Sequence, residues 1–132
     1  MNNKIRAGII GGAGYTAGEL LRLLVHHPNV EISFVNSKSN AGNPLHRVHA
    51  DLLGDTELSF SAQFHYDIDV LILCVGHGEA EVFWENNEVP ENVKVIDLSQ
   101  DFRIADPSHH FVYGLPELHK NRIWEAQHVA NP

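Results

Sequence analysis

The sequence predicts an α/β fold in which a doubly wound, mostly parallel sheet carries helices on both faces. Three observations predict it. Apolar runs recur at Ile5–Ile10, Val30–Val35, Val70–Val75 and Val93–Leu98, and they are continuous rather than alternating. Continuous runs mark strands buried on both sides, as parallel strands are beneath covering helices. Segments of helical period lie between the runs, and a glycine-rich turn joins the first strand to the first helix.

Taken in order, Ile5–Ile10 is the first strand. Tyr15–His27 follows as a helix, with Leu20, Leu21, Leu24 and Val25 on one stripe and Glu19 and Arg22 off it. Pro28 stops that helix. Val30–Val35 is the second strand. Residues 37–57, rich in Ser, Asn, Gly and Pro, read as a long loop with one helical turn around Leu45–Leu53. Leu58–Phe60 is a short apolar run. Val70–Val75 leads into a helix at Glu79–Asn87, which ends before Pro90; Val93–Leu98 and a weaker His128–Ala130 complete the strands. Strand–helix–strand units of this kind imply right-handed crossovers.

The turn AGIIGGAGYTAGELLRLL carries the strongest chemical signal. Gly11 lets the chain leave the strand sharply, and Gly14, having no side chain, lets backbone N–H groups approach a diphosphate. Ala17 is small enough for close packing of helix on strand, and the helix start offers unpaired N–H groups and a positive dipole end. The spacing is G-x-x-G-x-x-A, and Gly12-x-Gly14-x-x-Ala17 also fits the dinucleotide fingerprint loosely. The fold is therefore Rossmann-like and the expected ligand a dinucleotide. An NAD site places Asp or Glu at the end of the second strand to bond the ribose 2′-hydroxyl. Here that strand ends in Asn36-Ser37-Lys38-Ser39, with no acid. Hydroxyls and a cation suit a 2′-phosphate, so NADP(H) is the expected cofactor, with Lys38 otherwise an ordinary exposed lysine.

Ligands of open α/β sheets lie beyond the carboxyl ends of the strands. After Val75 the rim reads Gly76-His77-Gly78-Glu79. His77 either faces the nicotinamide half of the cofactor or belongs to a plain strand-to-helix turn. After the fourth long run the rim reads Asp97-Leu98-Ser99-Gln100-Asp101-Phe102-Arg103. Arg103 either clamps a substrate phosphate or carboxylate, or pairs with Asp97 or Asp101. Cys74, flanked by strand apolars, reads as a buried small hydrophobe rather than a nucleophile.

Composition removes other classes. With 43% hydrophobic residues in 132, the chain can bury a core as one domain, 1–132, and is not disordered. One cysteine excludes an internal disulfide. No apolar run approaches the roughly 20 residues of a membrane span, and MNNKIRAGII lacks a signal-peptide core. A soluble, cytoplasmic protein is expected. Seventeen acids against nine bases, with no basic cluster, argue against nucleic acid. The ten histidines show no metal-ligand spacing; the adjacent pairs His26-His27 and His109-His110 cannot share a helix face.

GIIGGAGYTAGELLRLL, VNSKSNAG, VIDLSQDFRI, VYGLPEL and VANP stand in this order across essentially the whole chain. In that combination the sequence resembles the N-acetyl-gamma-glutamyl-phosphate reductases, members of the aspartate-semialdehyde dehydrogenase-like superfamily. The resemblance implies an NADP-dependent oxidoreductase of arginine biosynthesis. In that family a cysteine thiolate attacks an acyl phosphate, and the thioester takes hydride from NADPH to give the semialdehyde and phosphate. It implies cofactor contacts at Gly11, Gly14, Tyr15, Thr16, Ala17, Ser37, Lys38, Gly76 and His77, and substrate-side roles for Ser99, Asp101, Arg103 and Glu117. It also implies a homo-oligomer in the full-length enzyme. Departures are visible. An Arg is more usual in the Ser37–Lys38 region, and Gly76 replaces a usual Pro, which implies a looser loop. In the family, Asn-Pro is followed by Gly and the nucleophilic Cys, expected just after Pro132. The chain then reads as the cofactor domain, with no catalytic residue of its own. The alternatives are a stand-alone NADP-binding or redox-sensing module and an aspartate-semialdehyde dehydrogenase-like cofactor domain.

Overall fold

The computed structural model describes residues 3–132. Its strands are β1 (Ile5–Ile10), β2 (Val30–Asn36), β3 (Val70–Leu73), β4 (Lys94–Asp97), β5 (Val112–Tyr113) and β6 (His128–Ala130). Its helices are α1 (Tyr15–Leu24), α2 (Glu79–Asn86) and α3 (Pro116–Glu125). The six strands form one sheet in the order β2-β1-β3-β4-β6-β5, and every pairing is parallel. The chain winds outward from β1 to β2, then returns to place β3 on the other side of β1. The turn after β1 therefore sits at the switch point where open sheets bind ligands.

Side-chain alternation divides the core between the two faces. Ile9, Val35, Ile72 and Cys74 point to one face and are covered by Ala17 and Leu21 of α1 and by Leu45, Leu52 and Phe60. Ile10, Phe34, Leu71, Leu73 and Val95 point to the other and are covered by Ala80, with Phe83 and Trp84, of α2. Gly8 is bare because the Phe34 ring occupies the place of its side chain, where the β1–β2 register slips between Ala7 and Gly8.

Several expectations are corrected. Helix α1 stops at Leu24 rather than His27, because the His27 N–H bonds the Leu24 carbonyl (3.1 Å) and the His27 ring accepts the Asn29 N–H (3.1 Å). Strand β3 ends at Leu73, two residues early, where the backbone turns to pass beneath Gly11. Leu58–Phe60 is no strand; it makes one antiparallel bridge, Pro44 to Ser59, and packs Phe60 against the α1 face. Residues 37–57 hold two 3₁₀ turns, Leu45–Arg47 and Ala50–Leu52, each with a buried leucine. Strand β5 and helix α3 were not expected. The strand has two residues, and the helix buries none and is kinked at His119, so neither has a periodic signature.

Candidate functional site

The carboxyl ends of all six strands lie on one rim, and the rim brings together most of the residues singled out from the sequence. At its centre Gly11 has φ +81°, and a β-carbon there would stand 2.6 Å from the Cys74 carbonyl oxygen. Only glycine meets both conditions. The chain then opens: a β-carbon on Gly14 would meet nothing closer than the Gly11 carbonyl oxygen at 4.0 Å. Gly14 is the N-cap of α1, no side chain caps the helix, and no acid lies in its first turn. The leading N–H groups of α1 are therefore unpaired and face open space with their partial positive charge. Ala17 is fully buried against the sheet, while Tyr15 (96% exposed) and Thr16 stand at the surface. A cavity of about 430 Å³ beside the turn is lined by Ala13, Gly14, Gly18, Arg22 and His49 among others.

The start of α2 is built in the opposite sense. The Asp101 carboxylate accepts the Gly78 N–H (2.7 Å) and the Glu81 N–H (3.0 Å), and Glu79 accepts the Gly76 N–H (3.0 Å). Carboxylates thus fill the α2 terminus and repel an anion, whereas the α1 terminus is open to one. His77 is exposed and its Nδ1 accepts the Gln100 N–H (3.1 Å), which binds the two rim loops together. The loop at Gly76, where a proline is expected from the resemblance, is held by the Glu79 and His77 side chains.

Ser99 is buried; its hydroxyl donates to Asp97 Oδ2 (2.7 Å) and accepts the Asp101 N–H (3.1 Å). Asp101 accepts one α2-side N–H on each oxygen, so both residues brace the rim. Asp97 is fully buried, with no ion pair among the described residues, and burial pushes its carboxyl up from the ordinary range against the opposing effect of the Ser99 hydrogen bonds. Arg103 pairs with neither acid; its Nε donates to the Asn131 carbonyl (2.9 Å), leaving the rest of the guanidinium free among the described residues. Glu117 is exposed on the first turn of α3. At the end of β2, Ser37 is buried with its N–H on the Ser61 carbonyl (3.0 Å), whereas Lys38 and Ser39 are exposed, and Lys38 has no acidic partner among the described residues.

Cys74 is buried and its thiol is pushed up to about 12 by burial and by Asp97, so it stays a neutral thiol. Among the described residues no group of His, Cys, Asp and Glu could hold a metal, and no helix is long and apolar enough to cross a membrane. The sequence reading missed His49 and the Arg22–Asp51 pair (2.5 and 3.1 Å) beside the glycine turn. Neither had a local cue, since both depend on the irregular segment 37–57 folding back onto α1.

Residues 6–126 match the family model described as semialdehyde dehydrogenase, NAD binding domain. Over 97% of its length the chain is 58% identical to an N-acetyl-gamma-glutamyl-phosphate reductase of Parabacteroides distasonis and 56% identical to one of Bacteroides fragilis. It is 48% identical to the protein so named in Flavobacterium johnsoniae. The chain spans about two fifths of the length of these curated relatives, covering 40% to 41% of each. Among solved structures, aspartate semialdehyde dehydrogenase II of Vibrio cholerae superposes with a TM-score of 0.70 at 19% identity, over 98% of this chain and 42% of that one. The Candida albicans aspartate semialdehyde dehydrogenase determined with NADP gives 0.67 at 16% identity, over 96% and 42%. At those identities the likeness shows a shared fold.

Proposed function

The chain belongs to the family of semialdehyde dehydrogenase NAD-binding domains, and from that premise we propose that residues 1–132 are the NADP(H)-binding domain of an N-acyl-gamma-glutamyl-phosphate reductase. The observation that carries the reading is the contrast among the helix starts on the rim. That of α1 is bare, cationic and cleared of side chains; that of α2 is filled with carboxylates, and that of α3 carries Glu117 in its first turn. The diphosphate sits on the N–H groups that follow Gly14. The residues present fit the group, because the cradle is the space that a Gly14 side chain would fill.

The exposed Lys38 and Ser39, with no acid at the end of β2, favour a 2′-phosphate over a free hydroxyl, and in this reading Ser37 supports the loop from within. His77 borders the nicotinamide half, its ring oriented by the Gln100 N–H. When bound, NADPH supplies the hydride that reduces the activated acyl group. The nucleophilic cysteine is expected beyond Pro132, so its attack belongs to the whole protein. Arg103, tied to the carbonyl of Asn131, stands beside the point where the chain leaves β6, and its free N–H groups suit the substrate phosphate. Glu117 borders the same rim. On this reading the whole protein is a cytoplasmic oligomer acting on a small acyl phosphate. The relatives carrying this name at 48% to 58% identity favour it over an aspartate-semialdehyde dehydrogenase, whose representatives are similar in fold alone. The inert Cys74 disfavours a redox sensor.

Calorimetric titration tests the proposal. NADPH is expected to bind more tightly than NADH. Gly14→Val, which meets open space in the free protein, is expected to abolish binding with little change in melting temperature. Tighter binding of NADH would overturn the NADP assignment, and full affinity in Gly14→Val would overturn the placement of the diphosphate.

A further inference from the structure

Beyond Ser39, the segment up to residue 57 has no place in the function just described, yet it delivers one buried polar side chain to the glycine turn. His49 is 6% exposed, and its Nε2 lies 2.7 Å from the carbonyl oxygen of Gly12. A carbonyl only accepts, so Nε2 carries the proton and donates it. The backbone of His49 is fixed: its N–H donates to the Leu45 carbonyl (2.9 Å), and its carbonyl accepts the Leu52 N–H (3.0 Å). Phe60 packs against the imidazole with ring centroids 6.2 Å apart. The Nδ1 edge rests on Gly18, where a β-carbon would stand 2.8 Å from Nδ1. Arg22 of α1, paired with Asp51, ties the segment to the helix two residues beyond the histidine.

Gly12 C=O and Ala13 N–H belong to one peptide group. The Ala13 N–H has no protein acceptor among the described residues, and Ala13 lines the cavity at the start of α1. A donor on the carbonyl of a peptide polarises that peptide and strengthens its N–H as a donor in turn. We propose that His49 is a positioning residue for the cofactor diphosphate: by donating Nε2–H to Gly12 it sets the plane of the Gly12–Ala13 peptide and strengthens the Ala13 N–H toward the phosphates. His49 touches no phosphate itself. It acts through the backbone, and Gly18 is bare so that the imidazole can reach. This inference rests on the proposed NADPH site.

The test compares wild-type protein with His49→Phe, which keeps the ring but has no donor, and His49→Gln, whose amide restores one. Dissociation constants are measured for NADPH and for 2′-AMP, which carries the adenosine end without the diphosphate, at a temperature where every variant is folded. His49→Phe is expected to weaken NADPH about tenfold, the scale of one hydrogen bond, while 2′-AMP affinity stays unchanged. His49→Gln is expected to recover most of the loss. Gly18→Ala, which pushes the imidazole off Gly12 without removing it, is expected to match His49→Phe and to add little to it in the double variant. Unchanged NADPH affinity in His49→Phe, or equal losses for both ligands, would overturn the role of His49 while leaving the site in place. Failure of the wild-type protein to bind NADPH would instead overturn the site, and this role with it.

Discussion

Single residues of the rim show how burial decides between a structural and a chemical role. Asp97, Ser99 and Asp101 look from the sequence like a cluster of reactive groups. In the fold, Asp97 is sealed at the end of the interior strand β4, Ser99 bonds it, and Asp101 reaches across to α2. Asp97 has its carboxyl pushed up by burial. A group raised in the folded state contributes stability below its unfolded pKa and loses it as pH rises through the folded value. Asp97→Asn, which keeps the shape without the charge, is therefore expected to melt at or above the wild-type temperature at pH 7. The gap should close near pH 3, below the unfolded pKa. A variant clearly less stable at neutral pH would show that the ionised form is the favoured one.

Elements of the fold owe their ends to residues far away in sequence. Helix α2 has glycine as N-cap and carboxylates from Glu79 and from Asp101, 23 residues after Gly78, as partners for its loop and first turn. Asp101→Ala is expected to lower stability by about 1 kcal/mol, the usual loss of a helix cap, seen as a shift in the denaturation midpoint. Helix α1 is anchored differently, through the fully buried Ala17 and Leu21. Leu21→Ala is expected to remove roughly 2–5 kcal/mol, since a cavity is left between helix and sheet. Helix α1 was legible because its stripe repeats at 3.6 residues. Helix α3 was not, because it buries no side chain and has Leu118 (70%) and Trp124 (80%) at the surface.

At the scale of the whole molecule, aromatic packing fills part of the core on the α2 face of the sheet. Trp84 of α2, Phe102 and Phe111 of the loops and His128 of β6 form one contiguous group, with Phe102 and Phe111 stacked at 4.3 Å. Half-burial and the neighbouring His110 hold the His128 imidazole below its ordinary pKa. Its stabilising effect is complete above the unfolded value near 6.5 and is lost as pH falls through the folded value. Wild-type protein is expected to lose melting temperature between pH 7 and pH 5, and His128→Gln to lose less. Asp51 and Asp69, held low by hydrogen bonds and charge from Arg22 and Arg6, and Asp106, held low by Ser108, add a second loss that begins as pH falls through the ordinary carboxylate range. The two steps are separable in one acid titration followed by circular dichroism.

The sequence by itself determined the layered α/β architecture, five of the six strands, two of the three helices, the sharp turn at Gly11 and the open approach at Gly14. These follow from local rules: burial on two faces imposes continuous apolar runs, and a positive φ imposes glycine. Tertiary structure alone decided which rim groups are free. Asp101 reaches partners on α2 that the chain brings from elsewhere, Arg103 is left with open N–H groups, and His49 arrives under the turn from a segment with no periodicity. Whether a polar atom is paired depends on long-range folding, and no spacing rule along the chain records it.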